Sequence, residues 1–155
     1  MTHALDLVVA LGFVGVLVVI SAIDIRERIV PNRIVLPAAA AMLAVRTSLH
    51  PSPVWLAAGV GAALFLLVAA LAKPGGMGMG DVKLALLLGF AVGPTVAIAI
   101  AVAFLAALVP SVAILVRHGA RGRTMGIPFA PFLALGGVVA LLVGSPVLGA
   151  YLGAF

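Results

Sequence analysis

Long apolar runs, separated by short polar or Gly/Pro-containing breaks, dominate the pattern of this chain. A helix that spans a membrane needs about 20 mostly apolar residues. The runs therefore predict helices, joined by turns in which charged residues, glycine or proline collect. There are six predicted segments, which cover residues 5–23, 32–45, 54–72, 82–92, 95–116 and 127–144.

Proline and glycine define several of the predicted boundaries. Pro31 suits the first position of the second helix, where its missing N–H costs nothing. The fourth segment is short for a full crossing, and Gly93 and Pro94 end it. Pro110 predicts a kink in the fifth helix. Residues 146–155 are apolar and are expected to form a partial or interfacial turn.

The composition identifies the solvent of this fold. The chain is 65% hydrophobic and 8% charged, with a mean hydropathy of +1.40, whereas soluble domains carry about 25% charged residues. We expect an all-α, polytopic membrane protein in contact with lipid, forming one transmembrane domain over residues 1–155. The chain has no Cys, and its three His residues are scattered, so we expect neither a metal nor a cofactor.

The basic residues orient the predicted helices. Eight of the nine fall on one side of a six-crossing arrangement, and they are Arg26, Arg28, Arg33, Lys73, Lys83, Arg117, Arg121 and Arg123. Only Arg46 falls on the other side. Cytoplasmic loops are rich in Lys and Arg, so the eight mark the cytoplasmic face and both termini lie outside. The first run has no basic region before it, which argues against a cleavable signal peptide.

The net charge of +5 and the pI of about 11.3 also call for a test of nucleic-acid binding. The basic residues lie in short loops between apolar runs and form no surface interleaved with aromatic residues. We therefore expect no nucleic-acid partner, and we interpret Arg117, Arg121 and Arg123 as determinants of topology.

Two of the four acidic residues are the candidate chemistry. Asp24 ends the first run, and Asp81 opens the fourth within a glycine-methionine segment. Two crossings lie between them, so both carboxyl groups are expected at the cytoplasmic edge. Asp6 lies one crossing from Asp24 and is expected at the opposite edge. A charge beside hydrocarbon costs about 2.5–3.5 kcal/mol at a helix centre, which favours a functional explanation.

Each aspartate also has a structural interpretation. Asp24 stands four residues before Arg28 and is placed for an i,i+4 ion pair, and Asp81 is placed for an N-cap. An N-cap needs no alternating glycines, however. Gly76, Gly78 and Gly80 remove alternate side chains from an extended stretch, which predicts an edge that accepts an unwound peptide. Met77 and Met79 offer adaptable apolar contact.

Paired carboxyl groups suit peptide hydrolysis. Two such groups within hydrogen-bond reach share one proton. The ionised member deprotonates a water that attacks the scissile carbonyl, while the protonated member donates to the carbonyl oxygen. Ser21 and His118 have no third partner in the sequence pattern, so a serine–histidine mechanism is not expected.

Three segments carry a family resemblance. Residues 24–32 read DIRERIVPN and resemble the first aspartate motif of type IV prepilin peptidases, an Asp followed by Ile/Val-Pro-Asn. Residues 78–84 read GMGDVKL and resemble the GxGDxKL motif of that family. Residues 127–133 read IPFAPFL and resemble its Pro-Phe-Gly-Pro-Phe-Leu segment, with Ala130 where Gly is usual. The three occur in the family's order.

The resemblance implies a GxGD aspartyl membrane endopeptidase with Asp24 and Asp81 as catalytic residues. Such enzymes cut the basic leader of prepilins and pseudopilins, typically after Gly, at the cytoplasmic face of the bacterial or archaeal inner membrane. Larger members carry an additional N-terminal region, often with Cys-x-x-Cys zinc motifs, and methylate the new N-terminus. This chain lacks that region and Cys, so we expect the compact, peptidase-only form serving tight-adherence (Flp-type) or similar pili.

Seven further residues are candidates for substrate binding: Pro31, Asn32, Gly78, Gly80, Lys83, Pro128 and Pro131. Lys83 could also stabilise the ionised form of Asp81 or mark the cytoplasmic membrane boundary, and we favour the boundary marker. For Pro31 and Asn32 the alternative is a plain helix start, and for the two later prolines a kink. We interpret Glu27 as a solvated loop charge. Four glycines are expected to allow close helix packing, namely Gly59, Gly61, Gly89 and Gly136.

Two other functions compete with the peptidase. A small transporter or proton-coupled subunit also uses intramembrane acids and a Gly-interrupted helix, but here both acids lie near one edge. A non-enzymatic scaffold of a secretion or pilus assembly suits the Ala/Gly content. The sequence leaves open the particular pilin client, the residues that flank the cut, the oligomeric state and which aspartate carries the proton.

Overall fold

Six α-helices make up the computed structural model, which describes residues 2–72, 77–119 and 127–152. Side chains are described for residues 4–72, 77–119 and 127–143. The helices are α1 Thr2–Glu27, α2 Asn32–Leu49, α3 Val54–Ala72, α4 Met79–Val92, α5 Val96–His118 and α6 Ala130–Leu152, with a 3₁₀ turn at Gly93–Thr95 between α4 and α5. These described residues contain no strand. The predicted all-α class is confirmed.

Some predicted segments lie elsewhere than expected. The fourth helix begins at Met79 instead of residue 82, and the sixth continues to Leu152, so the turn predicted from residue 146 is wrong up to that point. Membrane helices tolerate an internal proline, and α6 continues through Pro146. α5 also continues through Pro110. Some residues discussed above lie outside the described residues: Lys73, Gly76, Arg121, Arg123 and the end of the chain from residue 153.

α4 is the central helix. Ten of its fourteen residues are buried. Its polar residues have no regular spacing that would identify one exposed face. It packs against α2, α3 and α6. The surrounding helices turn large apolar side chains outward, among them Leu11 of α1, Val68 of α3 and Val109 of α5. A buried apolar helix inside an apolar shell is the arrangement expected when lipid, not water, is the solvent.

Glycine sets the distance between α4 and α3. A Cβ added at Gly89 would lie 2.5 Å from the backbone nitrogen of Gly59 and 2.6 Å from the carbonyl oxygen of Ala58. Gly136 of α6 contacts the backbone of Ala99 in α5 in the same way. The packing role predicted for these three glycines is confirmed. The one predicted for Gly61 is wrong, because a Cβ there meets nothing within 4 Å.

A polar cluster ties three helices together at the end of the bundle far from Asp24. Arg46, near the end of α2, bonds with Asp6 of α1 at 3.1 Å and donates to the carbonyl oxygen of Ala91 in α4 at 3.1 Å. His50 lies 3.3 Å from the same Asp6 oxygen, and the Arg46 guanidinium lies over the Trp55 ring. We call these residues the distal cluster. Asp6 therefore lies at the opposite end from Asp24, as predicted.

Within the described part of the chain, three apolar helical runs are long enough to cross a membrane: Ala4–Glu27, Val54–Ala72 and the 40-residue run Met79–His118. Gly93 interrupts the last run with a φ of +63°. Phe104 of α5 packs against Phe129, beside the start of α6, at 5.4 Å between ring centroids. α5 therefore returns toward the end of the bundle where α4 begins. Six helices are confirmed, while six crossings stay a prediction.

Gly89 and Gly61 provide a matched pair of variants, because a Cβ added at Gly89 would meet the backbone of α3 whereas one added at Gly61 would contact nothing. Gly89→Ala forces α3 and α4 apart, so we expect the free energy of unfolding in detergent to fall by about 1–3 kcal/mol. Gly61→Ala meets open space and should leave stability unchanged or slightly raised, since Ala is the better helix former. Thermal unfolding followed by circular dichroism measures both variants. Equal stabilities would contradict the close contact of α3 with α4.

Candidate active site

Asp24 lies in the last turn of α1 and is 6% exposed. Its carboxylate accepts a hydrogen bond from the backbone N–H of Ala130, the first residue of α6, at 3.1 Å. The ion pair with Arg28 considered from the sequence is not formed. The backbone N–H of Arg28 instead donates to the main-chain oxygen of Asp24 at 2.8 Å. Arg28 directly follows the last residue of α1 and has a φ of +54°, the left-handed conformation in which many helices terminate.

The sequence at the start of α6 explains why Asp24 is needed there. The first four N–H groups of a helix have no partner within it. In α6, Pro131 has no N–H, and the N–H groups of Phe132 and Leu133 donate to the Phe129 carbonyl at 3.1 Å each. The N–H of Ala130 remains, and Ala130 is fully buried. Asp24 is the partner that this buried donor requires.

Asp81 is the third residue of α4 and is 7% exposed. Asp81 is not the N-cap, the structural alternative considered from the sequence, because Gly78 in an extended conformation is the N-cap and the helix begins at Met79. The N–H of Asp81 donates to the Gly78 carbonyl at 3.1 Å. The Asp81 carboxylate faces back toward the backbone of the N-cap residue, Gly78. In a capping box, the side chain at the third helical position is oriented in the same way.

The fold brings the two aspartates into one site. Their carboxyl groups are close enough to interact electrostatically. The segments beside them touch, because a Cβ added at Gly80 would lie 2.6 Å from the Val30 Cβ. Val30 is itself buried, at 8% exposure. The site therefore consists of two buried carboxyl groups supplied by α1 and α4, with the N-terminus of α6 against the first.

The extended glycine strip predicted around Asp81 is wrong in part. Gly78 is extended, with φ −78° and ψ 146°, and is exposed. Gly80 lies within the first turn of α4, where Val30 fills the space beside it. Gly76 lies outside the described residues. Among the described glycines of this strip, only Gly78 thus offers an exposed, extended backbone without a side chain.

Two of the predicted substrate-binding residues bond to each other. Lys83 donates from Nζ to Oδ1 of Asn32 at 2.8 Å. Asn32 is the first residue of α2, and Pro31 before it is the N-cap, one position earlier than predicted. Pro31 contributes a carbonyl that accepts from the N–H groups of Ile34 and Val35. Pro128 lies in the short non-helical segment before α6, and Glu27 is exposed at the end of α1.

A groove of about 400 Å³ runs between α1 and α6, and its lining reaches Ile25 but does not include Asp24. Ser21, one turn before Asp24, lines it from α1, and Pro131 lines it from α6. The Ser21 hydroxyl is buried there without a hydrogen-bond partner. The residues whose side chains are described contain no group of three or more His, Asp or Glu placed to hold a metal ion.

Residues that the sequence did not single out also build the site. Ala130 acts through its N–H, and Val30 acts by packing on Gly80. The proline that follows Ala130 signals a helix N-terminus, but the sequence does not say which acceptor meets that terminus. For Val30 we find no signal in the sequence beyond its place in the DIRERIVPN segment.

The contact between Val30 and Gly80 predicts different effects at the two described glycines of the motif. Gly80→Ala pushes against a buried side chain and should lower the free energy of unfolding by about 1–3 kcal/mol. Gly78→Ala should cost little, since its Cβ would lie 3.6 Å from an Asp81 carboxyl oxygen, an ordinary contact. Unfolding in detergent measures both. The double variant Gly80→Ala with Val30→Ala should recover part of the loss, and no recovery would contradict the contact.

Comparisons with known proteins agree on one family. Residues 11–116 match the family model described as the type IV leader peptidase family. The chain is 34% identical over 157 aligned positions to a protein of Bacillus subtilis (strain 168) named prepilin leader peptidase/N-methyltransferase. The alignment covers 96% of this chain and 61% of that protein, so this chain spans about three-fifths of its relative's length. No solved structure matches the chain.

The family model covers residues from α1 to α5, and its match includes both Asp24 and Asp81. On this basis the chain belongs to the type IV leader peptidase family.

Proposed function

We propose that this protein is an integral membrane aspartic endopeptidase that removes the basic leader of type IV prepilin-like precursors. The observation that carries the proposal is the pair of buried carboxyl groups, Asp24 and Asp81, placed together by α1 and α4. Family membership supports leader peptides as the class of substrate. Pilin and pseudopilin precursors, including the Flp type, are the proposed clients.

The proposed reaction uses the two aspartates in opposite protonation states. The ionised carboxylate takes a proton from water, and the resulting oxygen forms a bond to the scissile carbonyl carbon. The protonated carboxyl donates to the carbonyl oxygen, which becomes a hydroxyl of the tetrahedral intermediate. As the intermediate collapses, one of its hydroxyl groups returns a proton to the carboxylate that donated one earlier, the C–N bond breaks, and the amine leaves with the proton first taken from water.

The residues around the pair have proposed supporting roles. The hydrogen bond from Ala130 fixes Asp24 at the N-terminus of α6, so the carboxylate is held in one orientation for the reaction. Gly78 is exposed and extended next to Asp81, which supports its role as the place where a substrate backbone lies. Pro31, Pro128 and Pro131 are proposed to shape the entrance. Gly80 is proposed to act by packing instead of by contact with substrate.

We further propose that the site faces the cytoplasm at the inner membrane of a bacterium or archaeon. Arg26, Arg28 and Arg33 lie at the end of the bundle that holds Asp24, whereas Arg46 belongs to the distal cluster. This arrangement agrees with an excess of basic residues on the cytoplasmic side. The expectation that methylation is absent stays a prediction. The transporter and scaffold hypotheses gain no support from the family match.

Replacing either aspartate tests the catalytic pair. Asp24→Asn and Asp81→Asn each keep the size of the side chain but remove the ability to exchange a proton at the required position. We expect each to lower leader cleavage by at least about a hundredfold. Cleavage is measured on a prepilin-reporter fusion in membranes, with loss of the leader read by mass spectrometry.

Glu27→Gln is the matched control for these two variants, because Glu27 is also acidic and near Asp24 but is exposed. It should retain cleavage close to that of the unchanged protein. Normal processing by Asp24→Asn or by Asp81→Asn would remove that carboxyl group from the mechanism.

Single cysteines test the orientation, since the chain has no Cys of its own. Arg33→Cys and Ser48→Cys place exposed thiols near opposite ends of α2. In intact spheroplasts a membrane-impermeant maleimide should label the thiol at position 48, and the thiol at position 33 only after the membrane is broken. The reverse labelling pattern would place the site on the outer face.

A further inference from the structure

The bond between Lys83 and Asn32 links two segments that each carry a catalytic candidate. Asn32 begins α2, eight residues after Asp24, and Lys83 lies on α4, two residues after Asp81. Both are candidates for substrate contact by sequence, yet each has the other as its hydrogen-bond partner, at 2.8 Å. The Asn32 side-chain oxygen and one of the Lys83 N–H groups are therefore paired with each other in the folded chain.

We propose that Asn32 and Lys83 are positioning residues, whose mutual hydrogen bond sets the separation between the Asp24 and Asp81 segments. The inference rests on the proposed function only for its effect on catalysis. Its structural part, the control of spacing, holds or fails by itself. The residues act through the two aspartates, and no contact of theirs with substrate is required.

Two contacts join α4 near its start to the α1–α2 connection and to the first residue of α2. The buried contact is that of Val30 with Gly80, which acts by shape and has no direction along the helix. The outer contact is the bond from Lys83 to Asn32, which fixes the register of the two helix starts. Arg46 holds the far end of α2 against Ala91 of α4, so loss of the Lys83–Asn32 bond frees only the start of α2.

The short backbone connection between α1 and α2 carries a displacement of Asn32 to the end of α1, where Asp24 lies. Only residues 28–31 separate α1 from α2. Arg28 has a positive φ and Pro31 has a φ fixed by its ring, so this short connection has few alternative conformations. A shift at Asn32 therefore moves the end of α1, where Asp24 meets Ala130.

A distance measurement tests this proposal without any assay of activity. Glu27→Cys and Met79→Cys carry spin labels at two exposed positions, at the end of α1 and the start of α4, in a chain without other thiols. Pulsed electron resonance should give one narrow distance distribution in the parent. Lys83→Met and Asn32→Leu should each broaden it and shift it to longer distances. Lys83→Arg, which keeps a donor, should restore most of the parent distribution.

Arg33→Met is the control for loss of a basic charge at the same face. Arg33 is exposed and adjacent to Asn32 but has no hydrogen bond to α4. This variant should leave the distance distribution unchanged. A distribution that is unchanged in both Lys83→Met and Asn32→Leu would overturn the proposal, as would equal broadening in Arg33→Met.

A double-variant cycle then distinguishes positioning from substrate binding. Each single variant should lower kcat by about three- to tenfold, the effect of one hydrogen bond, with KM unchanged. The double variant should be no worse than either single one, because both remove the same bond. Multiplied effects, or a rise in KM confined to one variant, would show independent contacts with substrate and overturn the proposal.

The distance measurement and the cleavage assay together distinguish failure of the positioning role from failure of the proposed function. If the parent protein cleaves no leader peptide but the distance responds as expected, the proposed function fails while the control of spacing stands. If the parent cleaves normally and the distance does not respond, the function stands and the positioning role fails.

Discussion

The hydrogen bond between Asp24 and the N–H of Ala130 is the interaction on which the site depends. It joins residues 106 positions apart in the chain and ties the end of α1 to the beginning of α6. A buried N–H without a partner is costly, and so is a buried carboxyl group. Each satisfies the other here. α4, which packs against α2, α3 and α6, brings Asp81 to the same end of the bundle, and most of its residues are buried among these helices.

The rest of the bundle holds this arrangement from the other end. The distal cluster joins the start of α1, the end of α2 and the end of α4 through Arg46, whose side chain is 11% exposed. The glycine contact between Gly59 and Gly89 holds α3 against α4 at close range. Polar bonds thus lie at both ends of the bundle and apolar packing between them. Such an order suits a membrane interior, where hydrogen bonds form within the protein or not at all.

The sequence predicts much of the fold because the relevant signals are local. Apolar runs and helix breakers locate six helices, and the number of crossings between Asp24 and Asp81 places both on one side. What the sequence does not show depends on contacts between distant segments. Gly80 is helical because α4 starts early and Val30 packs beside it. Neither the acceptor for Ala130 nor the pairing of Lys83 with Asn32 can be inferred from spacing, since both join different helices.

Cross-linking the two aspartate positions tests the central claim most directly. Asp24→Cys and Asp81→Cys, combined in a chain that has no other cysteine, should be joined rapidly by a short bifunctional thiol reagent in membranes. The pair Asp6→Cys and Asp81→Cys should not be joined, because Asp6 belongs to the distal cluster. Efficient joining of positions 6 and 81, or none between 24 and 81, would contradict a shared site of two cooperating carboxyl groups.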